Sequence, residues 1–201
     1  MTNPAINTDL LISRGATFKK LSKDEIIFNE GSHCCFYYQL VEGQVRWVNI
    51  DDEGKEFIQN IIEPGESFGE LPLFDDNPYA ATAIATENST VLRLSKTAFL
   101  QLMKENPDIH FEFSKLFVER LRFKFMILKE IAIHGPEHCI TTLFSYFKEK
   151  KKYTCGKCNK VTLTRQQIAD MTGLRVETVI RAIRNLHDQG KLLIEKGKVY
   201  C

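Results

Sequence analysis

The 201-residue chain reads as an α+β protein: an antiparallel β-sandwich or barrel, then one long helix, then a small basic helical domain with a β-wing. Three observations predict this. Short alternating segments divided by turn residues run from about Phe18 to Leu94. A helix carrying two apolar rows starts at Pro107. A helix–Gly–helix pattern sits inside a strongly basic tail.

In the first part, "GQVRWVNI" alternates apolar and polar residues and runs into the turn "DDEG", and "KEFIQNII" alternates again before "EPGE". The runs "TAIAT" and "TVLRLS" follow, separated by "ENS". Closely spaced strands divided by Gly, Asp, Asn and Pro indicate an antiparallel sandwich or barrel. Ser95 offers a side-chain oxygen to cap the short helix "KTAFLQLMKENP", which Pro107 ends. Pro107 also suits the start of the long helix, and "HGP" closes that helix. Along it, Phe117, Leu121, Leu128 and Ile131 form one apolar row, while Phe113, Leu116, Phe123 and Ile127 form a second. Two rows imply two partners: one row covers the β-domain, and the other packs on the same helix of a second subunit. One broad buried face within a monomer gives the same periodicity. Gly135-Pro136 is the natural hinge.

The net charge of +1 is unevenly spread. Residues 1–136 carry 14 Lys/Arg and 20 Asp/Glu, a balance of −6, whereas residues 137–201 carry 13 and 6, a balance of +7. A basic tail fits a polyanionic partner, although a solvated surface has the same composition. No run of about 18 apolar residues is present, so no membrane span is expected. The stretch "MTNPAINTDLLISRG" lacks the basic-then-apolar layout of an export signal. The expectation is a cytoplasmic protein whose six cysteines are reduced. No nucleophile–base arrangement, phosphate loop or paired-carboxylate spacing emerges, so enzyme activity is not expected.

The tail reads as a helix ("EHCITTLFSYFKEKKK"), a polar hairpin ("YTCGKCNKVTLT"), a helix–turn–helix and a wing around Lys196-Gly197. Thr164 caps "RQQIADM", and Gly173 supplies the positive φ of a tight inter-helix turn. On the next helix, at about 100° per residue from Glu177, the residues Val179, Ala182, Ile183 and Leu186 fall between about 140° and 240°. Glu177, Arg181, Arg184 and Asp188 lie within about 40° of zero, and Ile180 borders that polar side. One face packs and the other presents an acid and two arginines. In a major groove, Arg bonds guanine O6 and N7 bidentately and a carboxylate accepts from cytosine N4. A plain surface pair at i,i+4 is the alternative. The Gly turn, the basic tail and the wing together favour DNA. Thr164, Arg165, Gln166, Arg175, Thr178, Arg184 and Lys196 lie where a docked motif meets phosphates.

The stretches "GESFGELPLF" at 65–74 and "LTRQQIADMTGLRVETVIRAIRNL" at 163–186 are similar to those of the CRP/FNR transcription regulators, and the resemblance covers the whole chain. It implies an N-terminal double-stranded β-helix, a jelly-roll-like β-roll, as a sensor domain over residues 1–106. It further implies a dimerisation helix and hinge over 107–136 and a winged helix-turn-helix over 137–201. The implied partners are double-stranded DNA, a second copy of the chain and RNA polymerase, with a palindromic operator whose half-sites lie about one DNA turn apart. The positions matching Glu177 and Arg181 read bases in such regulators, flanked by Val176 and Ile180.

The resemblance also marks an effector pocket at Gly69, Glu70, Leu71, Ala80, Ala81, Lys124 and Phe125. In the family's cyclic-AMP sensors an arginine and a serine meet the cyclic phosphate, and here those positions are Ala80 and Ala81. The polar pair that would meet the base matches Lys124 and Phe125. A buried phosphate without a cation is costly, so the implied effector is a small molecule other than cyclic AMP. No cysteine precedes Cys34, which argues against the iron–sulfur cluster of the family's oxygen sensors.

"CGKC" at 155–158 fits a hairpin with free thiols, half of a zinc site or a redox pair. His134, His138 and Cys139 could complete a metal site only if folding brings them near Cys155 and Cys158. Cys34 and Cys35 suit strand packing, with neighbours on opposite faces. His33 and His110 as haem ligands are weaker than exposed or satisfied histidines. Two rival readings thus stand beside the regulator: a thiol- or zinc-responsive protein, and a ligand-binding regulatory subunit.

Overall fold

The computed structural model describes residues 6–201. The first five positions, part of the stretch that lacks an export-signal layout, lie outside the described residues. Two compact units make up the chain, one ending at Val118 and one running Glu119–Cys201. No helix among the described residues is long and apolar enough to cross a membrane.

The first unit holds two four-stranded antiparallel sheets. One has the order β1 (Thr17–Leu21), β8 (Ser89–Ser95), β3 (Phe36–Glu42), β6 (Ser67–Phe68). The other has the order β2 (Ile26–Phe28), β7 (Thr82–Ala85), β4 (Val45–Ile50), β5 (Glu56–Ile62). Because the chain passes repeatedly from one sheet to the other, the strands wind into a jelly-roll-like β-roll. Alternation puts Val45 and Trp47 of β4 inside, and then Val48 is buried as well. The extra residue Gln59 on β5 breaks the period there, since Trp47 faces Asn60 and Val48 faces Ile58.

Rings fill the space between the sheets. Phe28 stacks on Tyr79 at 3.7 Å between centroids, and Tyr38 stacks on Phe68 at 5.5 Å. The indole Nε1 of Trp47 donates to the carbonyl of Ala81, and the Tyr79 hydroxyl donates to Cys34 Sγ. Cys34 therefore packs inward while Cys35 is exposed.

A second cluster lies on the roll's outer face beneath three helices. They are α1 (Thr8–Ser13), α3 (Lys96–Glu105) and the start of α4 (Pro107–Ile133). Leu11, Tyr37, Leu92, Leu94, Phe99, Leu102 and Phe113 are buried together. Asn7 caps α1 and Ser95 caps α3, the latter accepting from the Ala98 amide.

The apolar rows of α4 divide differently from the simple expectation. Phe113 and Leu116 join the cluster on the roll, as does the half-buried Phe117 of the other row. Farther along, Phe123 instead meets Tyr146 and Phe147 of α5 (Pro136–Lys150) inside the second unit, where Ile127 is also buried. What remains exposed is an apolar strip containing Leu121 (52%), Phe125 (63%), Leu128 (61%) and Ile131 (44%).

Between β6 and α2 (Leu71–Asp75), Gly69 has φ +71. A Cβ on Gly69 would lie 2.6 Å from Phe28 Cζ and 3.1 Å from Tyr79 Cε1. Conformation and space both demand glycine. Gly69→Ala is expected to destabilise the first unit by about 1–3 kcal/mol, measured as a lower urea midpoint than that of Gly54→Ala, whose added Cβ meets open space.

Candidate nucleic-acid interface

The second unit assembles α5, α6 (Arg165–Thr172), α7 (Val176–Asp188) and the wing strands β9 (Leu193–Glu195) and β10 (Lys198–Tyr200). A reciprocal capping box starts α6: Thr164 Oγ1 accepts from the Gln167 amide at 3.0 Å, and Gln167 Oε1 accepts from the Thr164 amide at 2.9 Å. Gly173 ends α6 in the left-handed conformation at φ 69. That residue turns the chain sharply into α7, whose N-cap Arg175 is extended.

Val179, Ala182, Ile183 and Leu186 are buried on α7, the four positions that the helical spacing picks out. α7 packs against α5, which buries Ile140, Leu143, Phe144 and Phe147. The far end of α7 is pinned by polar bonds. Asn185 Nδ2 and Gln189 Nε2 donate to the carboxylate of Glu137, at 2.8 and 3.2 Å. Those two bonds hold the Glu137 carboxyl below its ordinary range.

The opposite face of α7 is open. Glu177, Ile180, Arg181 and Arg184 are exposed, and Val176 and Thr178 are half-buried. Among the described residues, Glu177 and Arg181 form no ion pair or hydrogen bond with their own chain through their side chains. Glu177 sits in the first turn, where the helix dipole favours an anion. A surface of this kind can accept from cytosine N4 and donate to guanine O6 and N7.

Of the residues expected at phosphates, Arg175, Arg184 and Lys196 are exposed cations. Thr164 is exposed, with its oxygen engaged in the cap. Gln166 Nε2 donates to Asp170 at 2.7 Å. Arg165 is half-buried and donates from Nη2 to the carbonyl of Gly197 at 3.2 Å; burial lowers its pKa. The local sequence carries no sign of that tie between α6 and the wing, because its two ends lie 32 positions apart. Lys196 (φ 47) and Gly197 (φ 74) close β9 onto β10 in a two-residue turn with positive φ at both centres, the tight hairpin type.

The residues marked as an effector pocket fall in both units. Glu70 is buried at the start of α2, Leu71 is exposed, Ala80 is exposed and Ala81 is buried. The Ala80 carbonyl accepts from Asn49 Nδ2 at 2.8 Å, which ties that loop to β4. Lys124 and Phe125 belong to the second unit. Burial and the charge of Arg120 push the Lys124 amine down to about 8, whereas Phe125 lies in the exposed strip of α4.

Cys155 and Cys158 bracket the hairpin turn, where the Cys155 amide donates to the Lys160 carbonyl. A backbone hydrogen bond from Lys157 and the Cys158 side chain lower the Cys155 thiol. His134, His138 and Cys139 lie at the α4–α5 joint, and the three-membered group of potential metal ligands found there does not include Cys155 or Cys158. His33 and His110 are exposed, the latter stacking on Phe74.

Comparison with known proteins follows the same division. A cyclic nucleotide-binding domain family matches residues 18–106, and a Crp-like helix-turn-helix domain family matches residues 140–200. The chain is 29% identical to the cAMP-activated global transcriptional regulator CRP of Pasteurella multocida over 98% of its length and 95% of that protein. In fold it is similar to FixK2 from Bradyrhizobium japonicum, with a TM-score of 0.76, 22% identity and coverage of 92% and 91%. It is equally similar to CLP, a c-di-GMP-responsive global regulator of Xanthomonas campestris, with a TM-score of 0.76, 18% identity and coverage of 96% and 98%.

Removing the Thr164 hydroxyl leaves the Gln167 amide without its cap. Thr164→Ala is expected to cost the second unit about 1 kcal/mol, measured by calorimetry as a lower transition temperature than for Thr164→Ser.

Proposed function

The chain belongs to the CRP/FNR family of transcription regulators, and we propose that it binds a palindromic operator as a homodimer through α7. Glu177 and Arg181 contact base edges, flanked by Val176 and Ile180. Thr164, Arg165, Gln166, Arg175, Thr178, Arg184 and Lys196 make the backbone contacts or shape the surface that makes them. The carrying observation is the outward, uncommitted pair Glu177/Arg181 on a helix whose other face is buried. Its relatives are transcription regulators rather than enzymes, and RNA polymerase is the partner whose recruitment or exclusion such binding controls.

The exposed strip Leu121, Phe125, Leu128 and Ile131 supports the homodimer. Apolar side chains at three- and four-residue steps form the seam of a two-helix contact. Four large apolar groups in a row on one helix face are a surface that water disfavours.

The effector is a small molecule other than cyclic AMP, although the Pasteurella relative is described as cAMP-activated. Ala80 and Ala81 offer methyl groups where a phosphate needs a cation. The fold-level neighbour CLP, described as c-di-GMP-responsive, illustrates that regulators of this architecture differ in what they sense.

Selection from random duplexes is expected to recover a palindrome containing G·C pairs, with half-site centres roughly 34–36 Å apart. Arg181→Ala should lose about 1–3 kcal/mol on that operator and relax the choice at one base pair. Lys196→Ala should weaken all sequences alike and lower the salt slope by about one. Recovery of no consensus at low salt overturns the base-reading roles. For the dimer, light scattering should report a monomer for Leu121→Glu/Leu128→Glu and a dimer for the parent, and an unchanged mass rejects the α4 seam.

A further inference from the structure

The geometry points to a divalent transition-ion site formed by Glu130, His134 and His138 at the joint between α4 and α5. One potential ligand atom from each residue lies within 4.8 Å of the other two. Glu130 belongs to the last turn of α4, His134 follows with its amide bonded to the Glu130 carbonyl, and His138 sits in the first turn of α5. The kink at Gly135-Pro136 folds the third residue back onto the first two, so that the spacing Glu-x3-His-x3-His survives the change of helix.

Three features single this cluster out from an ordinary surface pair. Glu130 is only 3% exposed, and burial of a carboxylate is costly without a compensating cation. It also lies at the C-terminal end of a 27-residue helix, where the helix dipole disfavours negative charge. The imidazoles of His134 and His138 stack at 4.0 Å between centroids, and His138 Nδ1 lies 2.6 Å from Glu130 Oε2. Burial raises the Glu130 carboxyl, and the hydrogen bond and charge of His138, with the charges of His134 and Lys129, together outweigh it, so the group sits below its ordinary value. A cation among the three groups offsets burial and dipole together.

Two imidazoles and one carboxylate suit zinc and its neighbours among the first-row ions, leaving a fourth position for water. The His138 side chain is 57% exposed, which gives an ion a path from solvent. Ligands on one tetrahedral zinc lie roughly 3.3 Å apart, so binding widens the contact between His138 and Glu130 and draws His134 in. On binding, neutral His138 carries its proton on Nε2 and gives the Nδ1 lone pair to the metal. The ion then staples the last turn of α4 to the first turn of α5, the helix against which α7 packs.

The test uses the full chain, stripped with a chelator, in a Cys155→Ser/Cys158→Ser background that removes the other metal-capable pair. Competition with a chromophoric indicator should show one zinc per chain. Cobalt(II) should give a visible d–d band with no thiolate charge-transfer band. His134→Ala alters a half-buried side chain and is checked for folding by circular dichroism; it should weaken zinc by at least the roughly 100-fold that loss of an outer-shell partner alone can produce. His138→Ala should do the same. Zinc affinity unchanged in both variants, or no zinc bound by the parent, overturns the site. Neither readout involves DNA, so its failure is separable from failure of the operator reading.

Discussion

One-sided burial of α7 is the constraint from which the interface follows. Val179, Ile183 and Leu186 each contribute about 1.5–3 kcal/mol through burial, and Ala182 lets the helix approach closely. Rotating α7 by a third of a turn would expose these side chains for the sake of a surface ion pair worth a few tenths of a kcal/mol. The direction of Glu177 and Arg181 is therefore set by what happens on the other side of the helix. Glu137 adds a second restraint, because a single carboxylate holds Asn185 and Gln189 one turn apart.

The first unit obeys a different logic. Its roll is packed by aromatic rings, and Gly69 exists so that Phe28 and Tyr79 can stack against backbone. Aromatic pairs contribute directional attraction beyond area, which fixes the turn into α2 where Glu70 is buried. The segment most like the family's sensor motif thus owes its conformation to core packing in the same place.

How much of this was legible in the sequence depended on range. The face of α7, the Gly173 turn and the Lys196-Gly197 wing turn are set by residues within a few positions of one another, and pattern reading found them. The strands β4, β5 and β8 are long enough to show their period, whereas β7 is four residues buried on both faces. β2 and β6, at three and two residues, are too short for any period to emerge. The bulge at Gln59 depends on a neighbouring strand. Helix α1 went unread although Asn7 was a sound capping residue. The Glu130, His134 and His138 spacing was visible in principle, but Gly135-Pro136 breaks the helix on which such spacings are normally counted. The tie from Arg165 to Gly197 had no local signal at all.

That tie has a bearing on docking thermodynamics. With a guanidinium at the start of α6 bonded to the carbonyl at the wing's tip, and a turn that admits only left-handed backbone at both central residues, the hairpin is preorganised before any duplex arrives. In the proposed docking, little conformational entropy is left to lose at that edge on association, so the free energy of the wing's contacts would go into affinity instead of ordering a loop.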